Sequence, residues 1–419
     1  MCYFAAHYLR IICIFGVNCT TKDRVMIIRS ILENDLYKFS MSHYYQVHYP
    51  NAWGEFTFHD RNDTEYDEAF VEALNQEFAS LATLSLQPSE FDWATKCINY
   101  IPQCFWEWLR QFRFEPSKIK TWLDQKHHLH IEVADAMYKV TFYEIPILAI
   151  VSELYHRHIG DGYQNRESLA TAMTPRMERK VAIAAKHNLY FADFGMRRRF
   201  STLAEEVAIE YMREHCPTFT GTSTVAFAMK YNLRPIGTMA HECFMFQAAV
   251  HTPKEANYEV MERWVDVYDG NLGTVLTDTY TVDAFLRNFS MKLAKLYDGV
   301  RHDSGDPKLF GDKIIKKYES YGIDPLSKTI VFSDGLDFES AAEIKEYFAG
   351  RIKVTFGIGT NLTCDIEGVR PMNIVMKLKR CRINERQPIY GCVKLSDVAG
   401  KAIGTKADIS NYKYQLGIE

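Results

Sequence analysis

The sequence predicts an α/β protein in which an irregular barrel of parallel strands follows a mixed α+β N-terminal domain. Three observations indicate this fold class. Beyond Glu144, the chain of 419 residues repeats one unit, in which a short apolar run leads to a compact polar loop and an amphipathic helix. Such units predict a parallel sheet, and this many in series without a dinucleotide-binding glycine fingerprint favour a barrel. The polar loops follow the strands, where the chemistry of α/β barrels takes place.

The composition is that of a soluble globular protein, with 47% apolar and 24% charged residues. A net charge of -4 gives no electrostatic field for nucleic acid or for acidic lipid, so we expect neither partner. Anionic ligands would have to be held by local arginines and helix N-termini. The ten cysteines include no C-x-x-C pair, which favours reduced thiols and a cytoplasmic location over disulfides or a zinc site.

Residues 1–25 differ from the rest of the chain. Their apolar run, Ile11 to Val17, is far too short to span a bilayer, and neither a basic segment nor a cleavage site of a signal peptide accompanies it. We therefore predict that residues 1–25 are a disordered extension, or precede a translation start at Met26.

Residues 26–143 are predicted to form the mixed N-terminal domain. Asn34 or Asp35 can cap a helix that turns Leu36, Phe39 and Met41 inward, which would leave Tyr37 and Lys38 pointing elsewhere. Periodicity then predicts a strand at 53–59, helices at 66–84 and 101–112, and a hairpin from 131 to 142.

Residues 144–370 are predicted to form the barrel, and residues 371–419 to return to the N-terminal domain through strands at 372–379 and 390–394. The predicted strands of the barrel end in loops rich in glycine, hydroxyl and charged residues. These loops begin near residues 193, 221, 237, 277, 301, 333 and 357.

The loop from Arg301 to Pro307 carries the most chemistry. Arg301 offers a guanidinium fork for phosphate or carboxylate, and Asp303 offers two oxygens for sugar hydroxyls or a cation. Gly305 lets the backbone approach a ligand closely. The alternative is a solvated turn in which Asp306 only caps the next helix. Because several comparable loops share one end of the predicted barrel, the functional interpretation is favoured.

Other loops add candidates. His241 could be a nucleophile, a general base or a hydrogen-bonded core residue, and its partner should be distant in sequence, because the adjacent Glu242 diverges from it on a helix. Asp278, Asp303 and Asp334 each follow a strand and could bind Mg²⁺ or ribose hydroxyls, or could simply cap helices.

Two further loops suggest anion binding. The run from Gly357 through Gly359 and Thr360 to Asn361 could form a phosphate cradle or a simple tight turn. Phe194 and Arg197 could stack on and pair with a flat anionic ring. Arg198 and Arg199 are expected to form a solvated basic edge.

Taken together, the loops resemble those of the nicotinate phosphoribosyltransferase family from about Ile31 to the C-terminus. Seven ordered motifs carry the resemblance, at residues 34–38, 191–198, 221–223, 237–242, 301–307, 333–337 and 356–361. The resemblance implies a distorted barrel of the type II phosphoribosyltransferases. It also implies an ATP-coupled transfer from phosphoribosyl pyrophosphate to nicotinate, which gives nicotinate mononucleotide and pyrophosphate for NAD salvage.

The resemblance also implies roles for particular residues. His241 would be phosphorylated transiently by ATP, as suits a neutral imidazole. Phe194 and Tyr37 would stack on the two faces of the pyridine ring, with Tyr37 supplied by a second subunit in many relatives. The remaining roles fall to residues that hold the anionic ring substituent (Arg197, Thr222, Ser223, Arg301) and the phosphoribosyl group (Arg301, Asp303, Asp334, Gly359, Thr360).

The resemblance leaves the metal ligands open among Asp278, Asp303 and Asp334, with Mg²⁺ expected on the leaving pyrophosphate, and it leaves a monomer and a homodimer open. Ser223 favours nicotinate, because relatives that use nicotinamide carry an aspartate at this position. Two other classes stay open on the residues alone. A metal-dependent barrel lyase or hydrolase would not use ATP, and a silent metabolite-binding protein would lack a histidine like His241.

Overall fold

The computed structural model describes residues 26–160, 163, 165–397 and 402–418, so the predicted extension at 1–25 lies outside the described residues. Within these ranges, the chain folds into a mixed α/β structure with two separate sheets, one antiparallel and one parallel. No helix in the described ranges is both long enough and apolar enough to cross a bilayer.

The N-terminal half of the chain supplies three strands of the antiparallel sheet and the helices around them. These elements are α1 (Leu36–His48), β1 (Trp53–Asp60), α2 (Glu68–Ser80), α3 (Pro88–Cys97), α4 (Gln103–Gln111), β2 (Ile119–Leu123), β3 (Leu129–Ala136), α5 (Met137–Val140), α6 (Glu144–His158) and α7 (Arg166–His187).

The parallel sheet and its helices follow. They are β4 (Phe191–Asp193), α8 (Thr202–His215), β5 (Phe219–Thr222), α9 (Val225–Tyr231), α10 (His241–Val250), α11 (Ala256–Tyr268), β6 (Thr274–Leu276), α12 (Val282–Asn288), α13 (Met291–Leu296), β7 (Gly299–His302), α14 (Pro307–Ser320), β8 (Thr329–Phe332), α15 (Phe338–Tyr347), β9 (Lys353–Ile358) and α16 (Thr360–Thr363). The last elements are β10 (Ile374–Arg382), β11 (Tyr390–Gly391) and α17 (Lys406–Leu416).

The antiparallel sheet has the order β11-β10-β1-β3-β2, so its central strand β1 lies between an N-terminal and a C-terminal neighbour. Trp53 of β1 faces Arg382 of β10, and Asp60 faces Ile374. Phe56 and Phe58 of β1 are buried, as expected for a strand with one face on the core. Residues far apart in sequence therefore share one sheet.

The predicted hairpin at 131–142 is wrong. The hairpin consists of β2 and β3 and turns at Asp124, whose carboxylate accepts hydrogen bonds from the backbone N–H groups of Lys126 and His128. An aspartate that bonds backbone groups a few residues on forms a tight turn by itself. Residues 137–140 are helical instead of extended.

The prediction that Tyr37 and Lys38 point away from the core is also wrong, because α1 is buried from Leu36 to Tyr45. Helix α1 contacts α5 on one side and α11 on another, so it has no solvent face along this stretch. Asp35 precedes the helix but makes no capping hydrogen bond with its side chain.

The parallel sheet has the order β5-β4-β9-β8-β7-β6. Its strands are short and largely buried, and they are rich in β-branched and aromatic residues such as Val300, Ile330 and Phe332. Because all neighbouring pairs are parallel, the carboxyl ends of the strands meet at one edge. The polar loops of the sequence follow that edge.

Candidate active site

A cleft opens at the carboxyl ends of the parallel strands, and the antiparallel sheet forms its opposite wall. Phe56, Met376 and Lys377 line it from the antiparallel sheet. The predicted residues that line it are Tyr37, Phe194, Arg197, Ser223, His241, Arg301, Asp303, Asp334, Gly359 and Thr360. Tyr37 lines the cleft of its own chain.

His241 is the first residue of α10 and is held by three polar side chains. Its Nδ1 lies 3.0 Å from Thr279 Oγ1, and its Nε2 lies 3.0 Å from both Asp303 Oδ2 and Lys394 Nζ. Burial and the nearby charge of Lys394 lower the pKa of His241 to about 4. The ammonium of Lys394 can only donate and the carboxylate of Asp303 can only accept, so each tautomer of the neutral ring satisfies one of these two contacts at Nε2.

Asp303 and Asp278 complete this cluster. Burial opposes ionisation of Asp303, but the hydrogen bond with His241 and the charge of Arg301 hold its pKa well below the ordinary value. Asp278 accepts a hydrogen bond from Ser304 Oγ at 2.6 Å and lies 3.6 Å from Lys394 Nζ. Asp278 does not cap a helix; Thr281 caps α12. Two carboxylates and one imidazole thus converge around a lysine.

The same three groups are candidate metal ligands, since one ligand atom from each of His241, Asp278 and Asp303 lies within 4.8 Å of the others. Asp278 Oδ1 is buried and has no hydrogen-bond partner among the described residues. The carboxylate oxygens of Asp278 and Asp303 are of the type that Mg²⁺ prefers, whereas the imidazole of His241 is not. Asp334, the third predicted candidate, lines the cleft outside this group.

Another part of the cleft lining is aromatic and cationic. The ring of Phe194 lies over Gly357, where an added Cβ would stand 2.5 Å from Phe194 Cδ2. Tyr37 contributes a second ring, and Arg197 Nη1 lies 3.9 Å from Glu144 Oε1. A flat anionic ring could stack here and pair with Arg197.

The predicted pair Thr222 and Ser223 separates in the structure. Thr222 is buried behind the cleft and donates a hydrogen bond to Asp193 Oδ2 at 2.7 Å. Ser223 lines the cleft and donates to Asp35 Oδ1 at 2.7 Å. Burial raises the pKa of Asp35 despite the opposing charge of Arg197. Only Ser223 of the two can therefore touch a ligand in the cleft.

A third region of the cleft carries glycine and hydroxyl residues. Gly359 precedes the short helix α16, which starts at Thr360, and both residues line the cleft with Asp334. Arg301 also lines it, and its Nε has no hydrogen-bond partner among the described residues. A guanidinium N–H without a protein partner is suited to a phosphate.

The expected solvated edge of Arg198 and Arg199 is wrong. Arg199 is fully buried, with Nη1 2.9 Å from Glu205 Oε2 and Nη2 3.3 Å from Glu33 Oε2. Its counter-charges come from an N-terminal segment and from α8, which local sequence could not indicate. Arg198 lines the cleft, where burial and Arg197 lower its pKa to about 10.

Several cleft residues were not predicted from the sequence. Lys377 comes from β10, Lys394 comes from the segment after β11, and Asp35 and Glu144 come from the N-terminal half. Burial and the charge of Lys394 lower the pKa of Lys377 to about 7. The motif around residues 34–38 held a signal for Asp35, but isolated lysines in strands carry none.

Comparisons with known proteins agree with this geometry. The model of the nicotinate phosphoribosyltransferase (NAPRTase) family matches residues 189–418, and the model of the NAPRTase N-terminal domain matches residues 32–152. The nicotinate phosphoribosyltransferase of Desulforapulum autotrophicum is 38% identical over 386 residues, which cover 92% of this chain and 97% of that protein.

Solved structures show the same similarity. The crystal structure of nicotinate phosphoribosyltransferase from Porphyromonas gingivalis has a TM-score of 0.90 and 44% identity, and covers 94% of this chain and 100% of that one. The enzyme from Vibrio cholerae has a TM-score of 0.88 and 34% identity, and covers 94% and 95% of the two chains. The two sheets, the cleft between them and these matches together show that the chain belongs to the nicotinate phosphoribosyltransferase family.

Proposed function

We propose that this protein couples ATP hydrolysis to phosphoribosyl transfer from phosphoribosyl pyrophosphate to nicotinate, forming nicotinate mononucleotide and pyrophosphate. The observation that carries the proposal is the neutral, buried His241 in the same cleft as Phe194, Tyr37 and Arg197. His241 suits phosphoryl chemistry, and the aromatic and cationic lining suits an anionic pyridine.

His241 is the proposed phosphoryl acceptor. A neutral imidazole nitrogen attacks the γ-phosphorus of ATP, ADP leaves, and water later cleaves the phosphorus–nitrogen bond to give phosphate. Lys394 contacts Nε2 at 3.0 Å, so its ammonium can follow the phosphoryl oxygens as negative charge arrives. Thr279 fixes the ring through Nδ1.

The transfer step is proposed to depend on positioning. Phe194 and Tyr37 stack on the pyridine, while Arg197 and Ser223 face its carboxylate. The ring nitrogen has no proton to lose, so no general base is required. Productive orientation of this nitrogen toward the ribosyl carbon would supply most of the acceleration.

The phosphoribosyl group would lie along the remaining loops. Asp303 and Asp334 would accept hydrogen bonds from the ribose hydroxyls, and Arg301, Gly359 and Thr360 would hold phosphate oxygens. Mg²⁺, if held by Asp278 and Asp303, would neutralise charge on the leaving pyrophosphate. Lys394 lies between His241 and Asp278, and its positive charge offsets part of the negative charge of the nearby carboxylates.

We also infer a barrel architecture for the parallel domain. Its edge strands β5 and β6 do not pair within the described residues, but the segment between α9 and α10 runs between them. Ile236 N donates to Thr222 O at 2.9 Å, and Thr238 Oγ1 donates to Thr274 O at 2.7 Å. These contacts support an irregular closure of the parallel sheet. We also propose domain limits at 26–143, 144–370 and 371–419, a cytoplasmic location, and either a monomer or a homodimer.

The test is product formation by purified protein with nicotinate and phosphoribosyl pyrophosphate, with and without ATP. His241→Asn should abolish acid-labile phosphate incorporation from γ-labelled ATP and leave only slow, uncoupled transfer. His215→Asn, at an exposed position on α8, is the matched control. Labelling that persists in His241→Asn would contradict the assignment. Turnover of phosphoribosyl pyrophosphate by the wild type without nicotinate or nicotinamide would favour a hydrolase.

A further inference from the structure

Lys38 lies at the centre of a buried ion cluster whose two carboxylates, Glu144 and Glu242, line the cleft. Its Nζ is 2.6 Å from Glu144 Oε2 and 2.5 Å from Glu242 Oε2, and its side chain is 0% exposed. Thr141 joins the cluster by donating a hydrogen bond to Glu242 Oε1 at 2.6 Å. The cluster ties α1 to α6 and to α10, three elements that are far apart in the sequence.

Each carboxylate of the cluster is linked to a different functional residue of the cleft. Glu242 follows His241 in the first turn of α10, so its anchoring fixes the start of the helix that carries His241. Glu144 begins α6, and its second oxygen, Oε1, lies 3.9 Å from Arg197 Nη1. Lys38 is therefore connected to Arg197 through Glu144 and to His241 through Glu242.

The charges of the cluster indicate that it does more than hold α1, α6 and α10 together. A single carboxylate would neutralise Lys38, yet two are present and all three groups are buried. The second oxygen of Glu144 faces Arg197, which is 36% exposed at the cleft. Because burial of unpaired charge is costly, the cluster holds these side chains in one arrangement.

We propose that Lys38 is a positioning residue for both Arg197 and His241. Through Glu144 it holds Arg197 where the anionic substituent of the pyridine binds, and through Glu242 it holds His241 in line for phosphorylation. The inference rests on the proposed function and adds a residue that touches neither substrate.

The experiment separates the effect of Lys38 through Glu144 from its effect through Glu242. Glu144→Gln should raise the KM for nicotinate about tenfold and leave the single-turnover rate of His241 phosphorylation within about twofold. Glu242→Gln should show the reverse, and Thr141→Val should show a weaker version of the Glu242→Gln effect. Lys38→Met should show both losses together.

Lys118→Met is the control, since Lys118 bridges Glu115 and Asp135 at 2.8 and 2.7 Å outside the cleft. It should change neither constant. If Lys38→Met does not fold, the two glutamine variants still decide the question. Lowered thermal stability in all variants, with KM and phosphorylation rate unchanged per folded molecule, would overturn the proposal. Absence of ATP-dependent product in the wild type would instead refute the proposed function.

Discussion

Replacing Ser223 by aspartate tests how the cleft distinguishes pyridine substituents. Ser223 Oγ donates to Asp35 Oδ1 at 2.7 Å, and both residues line the cleft with Arg197. Ser223→Asp would remove this donor and place a second carboxylate against Asp35. It would also place that carboxylate near the negative charge of bound nicotinate.

The magnitude follows from the short distances. Two like charges about 4 Å apart repel by roughly 4 kcal/mol at an effective dielectric constant of about 20. Uptake of a proton at pH 7 by a carboxyl group of ordinary pKa near 4 costs about the same, at roughly 1.4 kcal/mol per pKa unit. The loss for nicotinate is therefore limited to about 10³-fold, and partial neutralisation by Arg197 reduces it towards about 10²-fold.

The assay compares kcat/KM for nicotinate and nicotinamide in the wild type, Ser223→Asp and Ser223→Asn. The asparagine variant has the same shape without the charge, so it should affect both pyridines similarly. Ser223→Asp should lose at least about tenfold more with nicotinate than with nicotinamide, because the amide carries no charge and can donate to a carboxylate. Equal losses with both pyridines would show that position 223 does not read the substituent.

Three further predictions follow from the geometry. Gly357→Ala should raise the KM for nicotinate about tenfold, because the added Cβ would stand 2.5 Å from Phe194 Cδ2 and displace the ring. Gly391→Ala is the control, since the atom nearest to its added Cβ is 3.3 Å away. An unchanged KM in Gly357→Ala would exclude the stacking role. Lys394→Met should slow phosphorylation of His241 by about 10²-fold in single-turnover labelling, since it removes the cation 3.0 Å from Nε2, and a wild-type rate would contradict this. The folded protein lowers the pKa of His241 to about 4 from its ordinary 6.5, so the unfolded chain binds an extra proton as the pH falls through this window. Between pH 6.5 and 4 the wild type should lose about 3 kcal/mol more stability in urea than His241→Asn, and parallel pH profiles would contradict the shift.

The predictable part of the fold depended on local order in the sequence. The alternation of apolar runs with polar loops indicated β4 to β9 and the edge at which their loops meet. The same order placed Asp303 and Ser223 just after strands, and both line the cleft. It also predicted a strand before His241, but this residue follows a loop and begins α10. The predicted hairpin at 131–142 is wrong because the turn chemistry resides in Asp124, outside the apolar run that predicts it.

The sequence by itself determined which residues follow each parallel strand, because hydrophobic periodicity and turn chemistry act over a few neighbouring residues. Only the tertiary structure decided which charges meet. Lys394 reaches His241 across 153 residues, and Lys38 reaches Glu242 across 204. The burial of Lys38 and Arg199, and the bond between Ser223 and Asp35, depend on these distant partners, since a buried charge is stable only where the fold brings its counter-charge.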